Sequence, residues 1–183
     1  MRSFGRDSII RRLIGDRRGV SAVEFALIAP VMIVFYFGLA EFCQGYMAQK
    51  RMGHAAAMVG DLVSQTTTDI TAEEIDDMFA IGDLILKPFS AATLDLRITS
   101  VIRQPDDSIT VEWSKGRGMS PLAEGDVVPI PANLIEDGES LVISESSYEY
   151  DSPVGYLMPD AITFEQKHYL RPRAVQKVIC TDC

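Results

Sequence analysis

The chain has 183 residues, of which 47% are hydrophobic, and a formal net charge of −9. That length allows one domain with an appended segment. Residues 1–19 contain six arginines and two aspartates, a net charge of +4, so the remaining 164 residues carry 11 basic and 24 acidic side chains, a net of −13. A body this acidic argues against nucleic-acid binding through phosphate neutralisation.

A long apolar run follows the arginines. Residues 25–40, "FALIAPVMIVFYFGLA", contain no charged side chain, and the weakly polar flanks extend the segment to residues 20–42. As a helix it would measure about 35 Å, enough to cross a hydrocarbon core of about 30 Å. A buried helix of a soluble domain would have polar residues along one face, whereas only Glu24 and Glu41 interrupt this one, near its ends. We therefore predict a transmembrane helix over residues 20–42.

The distribution of cations predicts the orientation of this helix. Six arginines precede it, and only Lys50 and Arg51 follow within a dozen residues. The positive-inside bias places the N-terminus in the cytoplasm and residues 43–183 across the membrane. A secretory signal is the competing interpretation, but its apolar part is shorter and ends in a small-x-small cleavage site, a pattern that does not follow a short apolar core here.

Glu24 lies inside the apolar segment, five residues after Gly19. A carboxylate there costs a few kcal/mol on insertion, which suggests a function; the plain alternative is a side chain that reaches the headgroups from the first turn. If the chain is cut after Gly19, the new amine of Val20 lies one helical turn from Glu24 on the same face. The two charges could pair within one chain or between packed neighbours, where a low dielectric strengthens the attraction. This geometry predicts that Glu24 sets the axial register between helices.

These residues together resemble a known family. A basic leader, Gly19, Glu24, Phe25 and an apolar run with Pro30 are similar to the TadE-like family, minor pilins or pseudopilins of the tight-adherence (Flp, type IVc) pilus system. The resemblance covers residues 15–60. Its most specific part is the glycine-to-glutamate spacing with "VEFALIAPVMIV", and "YLRPR" near the C-terminus is also similar to family members.

The resemblance implies roles for individual residues. Gly19 matches the residue before a cut made on the cytoplasmic side by a prepilin peptidase, Val20 the new N-terminus, and Glu24 the carboxylate that sets the subunit register. Phe25 stands where related leaders often have tyrosine. The implied partners are the inner membrane, the peptidase, other pilins or pseudopilins and the pilus assembly machinery. The implied function is that of a minor pilin-like subunit that takes part in pilus assembly.

The helical pattern continues beyond the apolar run, over residues 43–63. Small side chains let helices approach closely, so this stripe is expected to pack against the chain's own sheet, against another subunit, or against both. Its small residues are Gly45, Ala48, Gly53, Ala56, Ala57 and Gly60.

Residues 64–183 are predicted to form an α+β domain. After the polar connector 64–70, Thr71 and Glu74 form a capping-box pattern before a short amphipathic helix that Pro88 would end. The acidic residues of this helix lack the D-x-D-x-D-G spacing of a calcium loop, and we interpret them as a solvated face favoured by the helix dipole.

Strand patterns dominate the rest of the chain. "TLDLRITSVIR" and "SITVEWS" alternate around a short polar turn and predict a hairpin, with Ile109, Val111 and Trp113 on one face. "SLVISESSYEY" and "AITFEQKHYLRP" are further candidate strands, and "AVQKVIC" is a candidate edge strand. Residues 115–138 read as a long surface loop, with a one-turn helix at "PANLIED". The predicted fold class is α+β, a single N-terminal transmembrane helix that extends into a pilin-like domain with a small antiparallel sheet.

Three cysteines are present. Cys180 and Cys183, in "CTDC", would lie in an oxidising compartment and are expected to form a disulfide. A redox motif would need the pair at a helix N-terminus within a βαβ unit, and a zinc site would need His54 or His168 to converge on it. Cys43, at the membrane edge, is expected to be a buried free thiol or an intermolecular contact.

The sequence contains no G-x-S-x-G, Gly-rich phosphate loop or H-E-x-x-H motif. We therefore expect no enzyme, no metal, no cofactor and no small-molecule substrate. Two other interpretations remain: an uncleaved, membrane-anchored periplasmic scaffold of a secretion or envelope complex, and a tethered enzyme or thiol oxidoreductase. The expected location is the bacterial inner membrane, with the C-terminal domain periplasmic, or an extracellular pilus.

Overall fold

A computed structural model describes residues 19–131, 134–153, 155 and 160–183. The predicted basic leader, apart from Gly19, lies outside these residues. Two helices precede four strands, so the predicted α+β fold class is confirmed. The elements are α1 (Val20–Ser64), α2 (Ala72–Leu86), β1 (Leu94–Arg103), β2 (Ile109–Arg117), β3 (Ser140–Tyr150) and β4 (Ile162–Leu170).

Helix α1 is a single helix of 45 residues with Pro30 inside it. The predicted membrane segment and its continuation therefore form one rod, about 67 Å long at 1.5 Å per residue. No residue from Val20 to Ala40 is buried, and Glu41 is the first that is. The folded domain begins to cover α1 at that point.

The stripe of small residues on α1 packs against the chain's own sheet. Gly45, Ala48, Gly53 and Gly60 are buried. A Cβ atom added to Gly60 would lie 2.6 Å from the Leu170 Cδ1 atom, too close for any real side chain. The prediction of packing within the chain is thus confirmed for this part of the helix.

Helix α2 begins at the predicted capping box. The Glu74 amide donates to Thr71 Oγ1 at 3.3 Å, and the Thr71 amide donates to Glu74 Oε2 at 2.9 Å. The helix ends two residues before Pro88, as predicted. Near that end, Arg51 Nη1 of α1 donates to the Ile85 carbonyl oxygen at 3.2 Å. Because α2 starts soon after α1 ends and finishes beside Arg51, the two helices are antiparallel.

The four strands form one antiparallel sheet in the order β2-β1-β3-β4. The predicted β1–β2 hairpin is confirmed, and β3 lies in the middle beside β1. The main core lies between the helices and one face of this sheet. Its largest fully buried apolar residues include Met52, Ile75, Phe79, Leu96 and Ile98.

A bulge in β2 changes which side chains face the helices. The β1–β2 register shifts so that Glu112 is an extra residue. Trp113 consequently belongs to the main core, whereas Ile109 and Val111 belong to a second cluster. The prediction that these three residues share one face was wrong, because an extra residue reverses the alternation of a strand.

The long segment between β2 and β3 covers the outer face of the sheet. Leu122, Val128 and Ile130 pack against the second cluster, and the Val128 amide donates to the Ile109 carbonyl oxygen at 2.9 Å. The predicted surface loop is thus a partial cover for the sheet. Its predicted one-turn helix lies partly outside the described residues.

The C-terminal tail does not form the edge strand predicted at "AVQKVIC". It makes one isolated bridge, between Ile70 and Cys180. The Ile70 amide donates to the Ile179 carbonyl oxygen at 2.9 Å, and the Thr181 amide donates to the Ile70 carbonyl oxygen at 3.1 Å. The prediction was wrong because the tail uses its Ile179 carbonyl and Thr181 amide to bond Ile70 in the α1–α2 connector, and not a strand of the sheet.

Candidate functional site

Gly19 stands immediately before α1 with no structural need to be glycine. Its φ of −89° and ψ of −6° are ordinary right-handed values, and no side chain caps the helix there. A Cβ atom at Gly19 would meet nothing within 4 Å. Neither conformation nor packing within the described chain therefore explains this residue.

Glu24 lies in the second turn of α1 and is exposed, as is its neighbour Phe25. In the part of the chain that the structure describes, no cation lies within ion-pair distance of Glu24. Val20 lies four residues earlier, on the same face of the helix. The structure thus brings Val20 and Glu24 together on a surface that the described residues leave uncovered.

The apolar half of α1 is exposed on all sides. It is the one helix of the described residues long and apolar enough to cross a membrane, and its most apolar stretch is not buried. A shallow groove of about 610 Å³ runs along it. This surface fits a membrane anchor, and the groove could receive side chains of a second helix. Its lining is Pro30, Val31, Val34, Phe35, Gly38 and Leu39.

Residues 19–61 match the family model described as TadE-like protein. This segment is TadE-like. The resemblance stated from the sequence is confirmed over that range. No curated protein and no solved structure matches the chain.

The TadE-like segment includes a buried carboxylate, Glu41, which in the sequence marks only the end of the apolar run. Glu41 is 1% exposed. A helical spacing could have revealed it, because Glu41, Gly45, Ala48 and Met52 follow one another at steps of four, three and four residues along one buried face.

Glu41 contributes to the environment of Tyr150 at the end of β3. Burial raises the pKa of the Tyr150 hydroxyl, the neighbouring Ser152 side chain lowers it, and the charges of Glu41 and Asp151 raise it, with a net increase. The level of α1 at which the domain begins to cover the helix is therefore an acidic junction between helix and sheet.

The C-terminal cysteines are joined. Cys180 and Cys183 form a disulfide with a Cα–Cα distance of 5.7 Å, and between them Asp182 Oδ1 accepts a hydrogen bond from the Ala72 amide at 2.7 Å. With both sulfurs in a disulfide, neither is available as a thiolate ligand. Cys43 is a free thiol and is exposed. The expectation that it is buried was therefore wrong, whereas an intermolecular contact stays a prediction.

The two histidines lie on different elements. His54 is exposed on α1, and His168 is a residue of β4. Among described residues, the one set of three side chains close enough to share a metal ion is Cys180, Asp182 and Cys183. No histidine belongs to that set.

Proposed function

We propose that the protein is a minor pilin-like subunit that takes part in assembly of a tight-adherence pilus. Its TadE-like helix anchors it in the bacterial inner membrane and packs laterally against other pilins or pseudopilins. The observation that carries the proposal is the apolar half of α1, in which no residue from Val20 to Ala40 is buried, while the domain packs only on the half from Glu41 onward. The chain acts by binding and not by catalysis.

We further propose that a prepilin peptidase cuts the chain between Gly19 and Val20. The open surroundings of Gly19 support a cut at this position. Since the fold does not require a glycine there, recognition by another protein accounts for it. The N-terminus then lies in the cytoplasm and the domain in the periplasm. The alternative is an uncleaved periplasmic scaffold.

The cut gives Glu24 a partner. The new ammonium of Val20 and the Glu24 carboxylate of a neighbouring subunit lie in a low dielectric, where opposite charges attract more strongly than in water. Only one axial offset between two packed helices lets the charges meet, so the pair selects the register. Phe25 and the groove near Pro30 supply the adjoining apolar contact.

Mass measurement of the protein extracted from membranes tests this proposal. In cells with active prepilin peptidase we expect a chain that begins at Val20, and in peptidase-deleted cells the full chain. Gly19→Leu should retain the leader, whereas the matched variant Ala22→Leu, exposed on the other side of the cut, should lose it. A chain that still begins at Met1 in peptidase-positive cells would contradict cleavage and favour the uncleaved scaffold.

Crosslinking followed by co-purification tests the assembly role separately. Other pilins should be recovered with this chain from membranes or sheared filaments. Recovery of envelope proteins alone, with no pilin, would contradict the pilus assignment even if the chain is cleaved.

A further inference from the structure

Ion pairing divides the cations of the folded chain into two groups. Three of the 11 basic residues after Gly19 have no carboxylate within 4.0 Å among the described residues: Lys50, Arg51 and Lys87. In a body with 24 acidic side chains, cations without acidic partners are unexpected on electrostatic grounds alone. The other eight all form ion pairs: Arg97, Arg103, Lys115, Arg117, Lys167, Arg171, Arg173 and Lys177.

The fold brings the segments that carry these three cations together. Lys50 and Arg51 are adjacent on α1. Arg51 Nη1 donates hydrogen bonds to the carbonyl oxygens of Ile85 and Lys87, which fixes the end of α2 beside it. Lys50 and Lys87 are exposed, and Arg51 is half-buried. We call Lys50, Arg51 and Lys87 the basic cluster.

The basic cluster lies at the end of the domain nearest the apolar segment. Lys50 is nine residues beyond Glu41, where the domain begins to cover α1, a rise of about 13 Å. The turn after α2 lies closer, because Pro88 and Phe89 line a cavity of about 410 Å³ together with Gln44. The headgroup layer of a leaflet is about 5–8 Å thick, so long side chains from this level come within reach of it.

The side chain of Lys50 extends toward the apolar end of α1. Side chains of an α-helix lean toward its N-terminus, and the N-terminus of α1 is its apolar end. The Lys50 ammonium lies 5.5 Å from the centre of the Tyr46 ring, one turn nearer that end. Tyrosine is enriched at the membrane–water interface, and Tyr46 is 52% exposed.

We propose that the basic cluster binds the phosphate groups of phospholipids in the leaflet beside the domain. Ammonium and guanidinium groups bond well to phosphate oxygens, and anionic lipids attract such clusters further. The contact would hold the domain at a fixed tilt and rotation on the membrane. This inference rests on the membrane anchoring proposed above and is independent of pilus assembly.

Acidic residues also lie at this end of the domain. Glu149 and Asp151 line the cavity beside Pro88, and neither forms an ion pair with Lys50 or Lys87 among the described residues. An anionic membrane surface repels these carboxylates while it attracts the lysines. The attraction of phosphate for the lysines must therefore exceed the repulsion of these two carboxylates.

Lysine acylation read by mass spectrometry tests the inference on the full-length protein. Rates are compared in a phosphate-free maltoside detergent and in nanodiscs of phosphatidylglycerol. We expect Lys50 and Lys87 to react at least about fivefold more slowly in the nanodiscs. Lys167 and Lys177, which are partly exposed and paired with carboxylates, should change by less than about twofold.

The outcomes separate this inference from the proposed function. Failure of the protein to float with phosphatidylglycerol vesicles would overturn membrane anchoring itself. Flotation with unchanged rates at Lys50 and Lys87 would overturn the lipid contact alone. The slower acylation of Lys50 and Lys87 could also depend on the number of protein copies per nanodisc and not on lipid charge. That result would show that the basic cluster contacts an acidic surface of a neighbouring copy, and it would overturn the lipid contact.

Matched charge variants give a second readout. In phosphatidylglycerol nanodiscs, amide hydrogen exchange over residues 84–90 should accelerate several-fold in Lys50→Gln/Lys87→Gln. The control Lys115→Gln/Lys177→Gln removes the same charge elsewhere and should leave these rates unchanged. Equal exchange in both double variants would contradict the proposal, provided that circular dichroism shows both folded.

Discussion

A Cβ atom at Gly60 would lie 2.9 Å from the Cβ atom of Ser144, closer than two such carbons approach in proteins. The Ser144 hydroxyl also donates to the Ala56 carbonyl oxygen of α1 at 2.7 Å. The absence of a side chain at Gly60 therefore sets the distance between the long helix and the central strand β3.

We expect Gly60→Ala to destabilise the domain and Gly53→Ala to leave it nearly unchanged. Overpacking costs about 1–3 kcal/mol, whereas alanine gains about 1 kcal/mol over glycine inside a helix. At Gly53 the obstructing atoms belong to the flexible end of Gln166, which can move away. Thermal unfolding in detergent measures both variants. Equal melting temperatures would contradict the close contact at Gly60.

Glu145 should make the stability of the sheet depend on pH. Its carboxylate accepts a hydrogen bond from Arg97 Nε at 2.7 Å and lies 2.6 Å from Lys167 Nζ. Burial raises the pKa of Glu145, but the hydrogen bonds and charges of Lys167 and Arg97 together lower it below its ordinary value of 4.5. Its stabilising contribution is therefore complete well above pH 4.5 and is lost as the pH falls through the lowered pKa.

Substitution of Glu145 isolates this contribution. Glu145→Gln should lower the free energy of unfolding by about 1–2 kcal/mol at pH 7, because two cations lose their shared anion in a partly exposed site. The difference in free energy of unfolding between Glu145→Gln and the natural protein should shrink below about pH 4. Glu165→Gln, an exposed position on the neighbouring strand, serves as control. A difference that persists unchanged at pH 3 would refute the ionic origin.

Removal of the C-terminal disulfide should loosen the tail without abolishing function. The loop-entropy argument gives about 2 kcal/mol for so short a loop, which corresponds to a fall in melting temperature of several degrees. The double variant Cys180→Ser/Cys183→Ser and the reduced natural protein should have the same melting temperature. Loss of pilus assembly in a folded double variant would instead support the thiol oxidoreductase interpretation.

Glu24→Ala should leave membrane insertion intact and reduce incorporation into filaments at least tenfold. Loss of the carboxylate favours insertion by up to a few kcal/mol but removes the partner of the Val20 ammonium. Ser21→Ala, an exposed position in the first turn of α1, is the control. The measurement is the amount of this subunit in sheared filaments relative to membranes. Normal incorporation would exclude the register role and leave the membrane anchor standing.

The sequence was sufficient for features that neighbouring residues decide. The continuous helix α1 follows from its apolar run and small-residue spacing, and the start of α2 follows from the Thr71–Glu74 capping box. The β1–β2 hairpin follows from two alternating runs around a short turn. The TadE-like pattern from Gly19 onward was likewise legible, because it depends on residue types at fixed spacings in one segment.

Only the tertiary structure decided what depends on residues distant in sequence. The bulge at Glu112 places Trp113 and Val111 on opposite faces of the sheet, and the tail bonds to Ile70 instead of extending the sheet. The burial of Glu41 also depends on where the domain meets the helix. The basic cluster exists because α2 folds back onto α1 and brings its end beside Arg51. Local periodicity specifies each helix and strand. The packing of these elements against one another decides which backbone amides and which charges meet, and no single segment of the sequence encodes that packing.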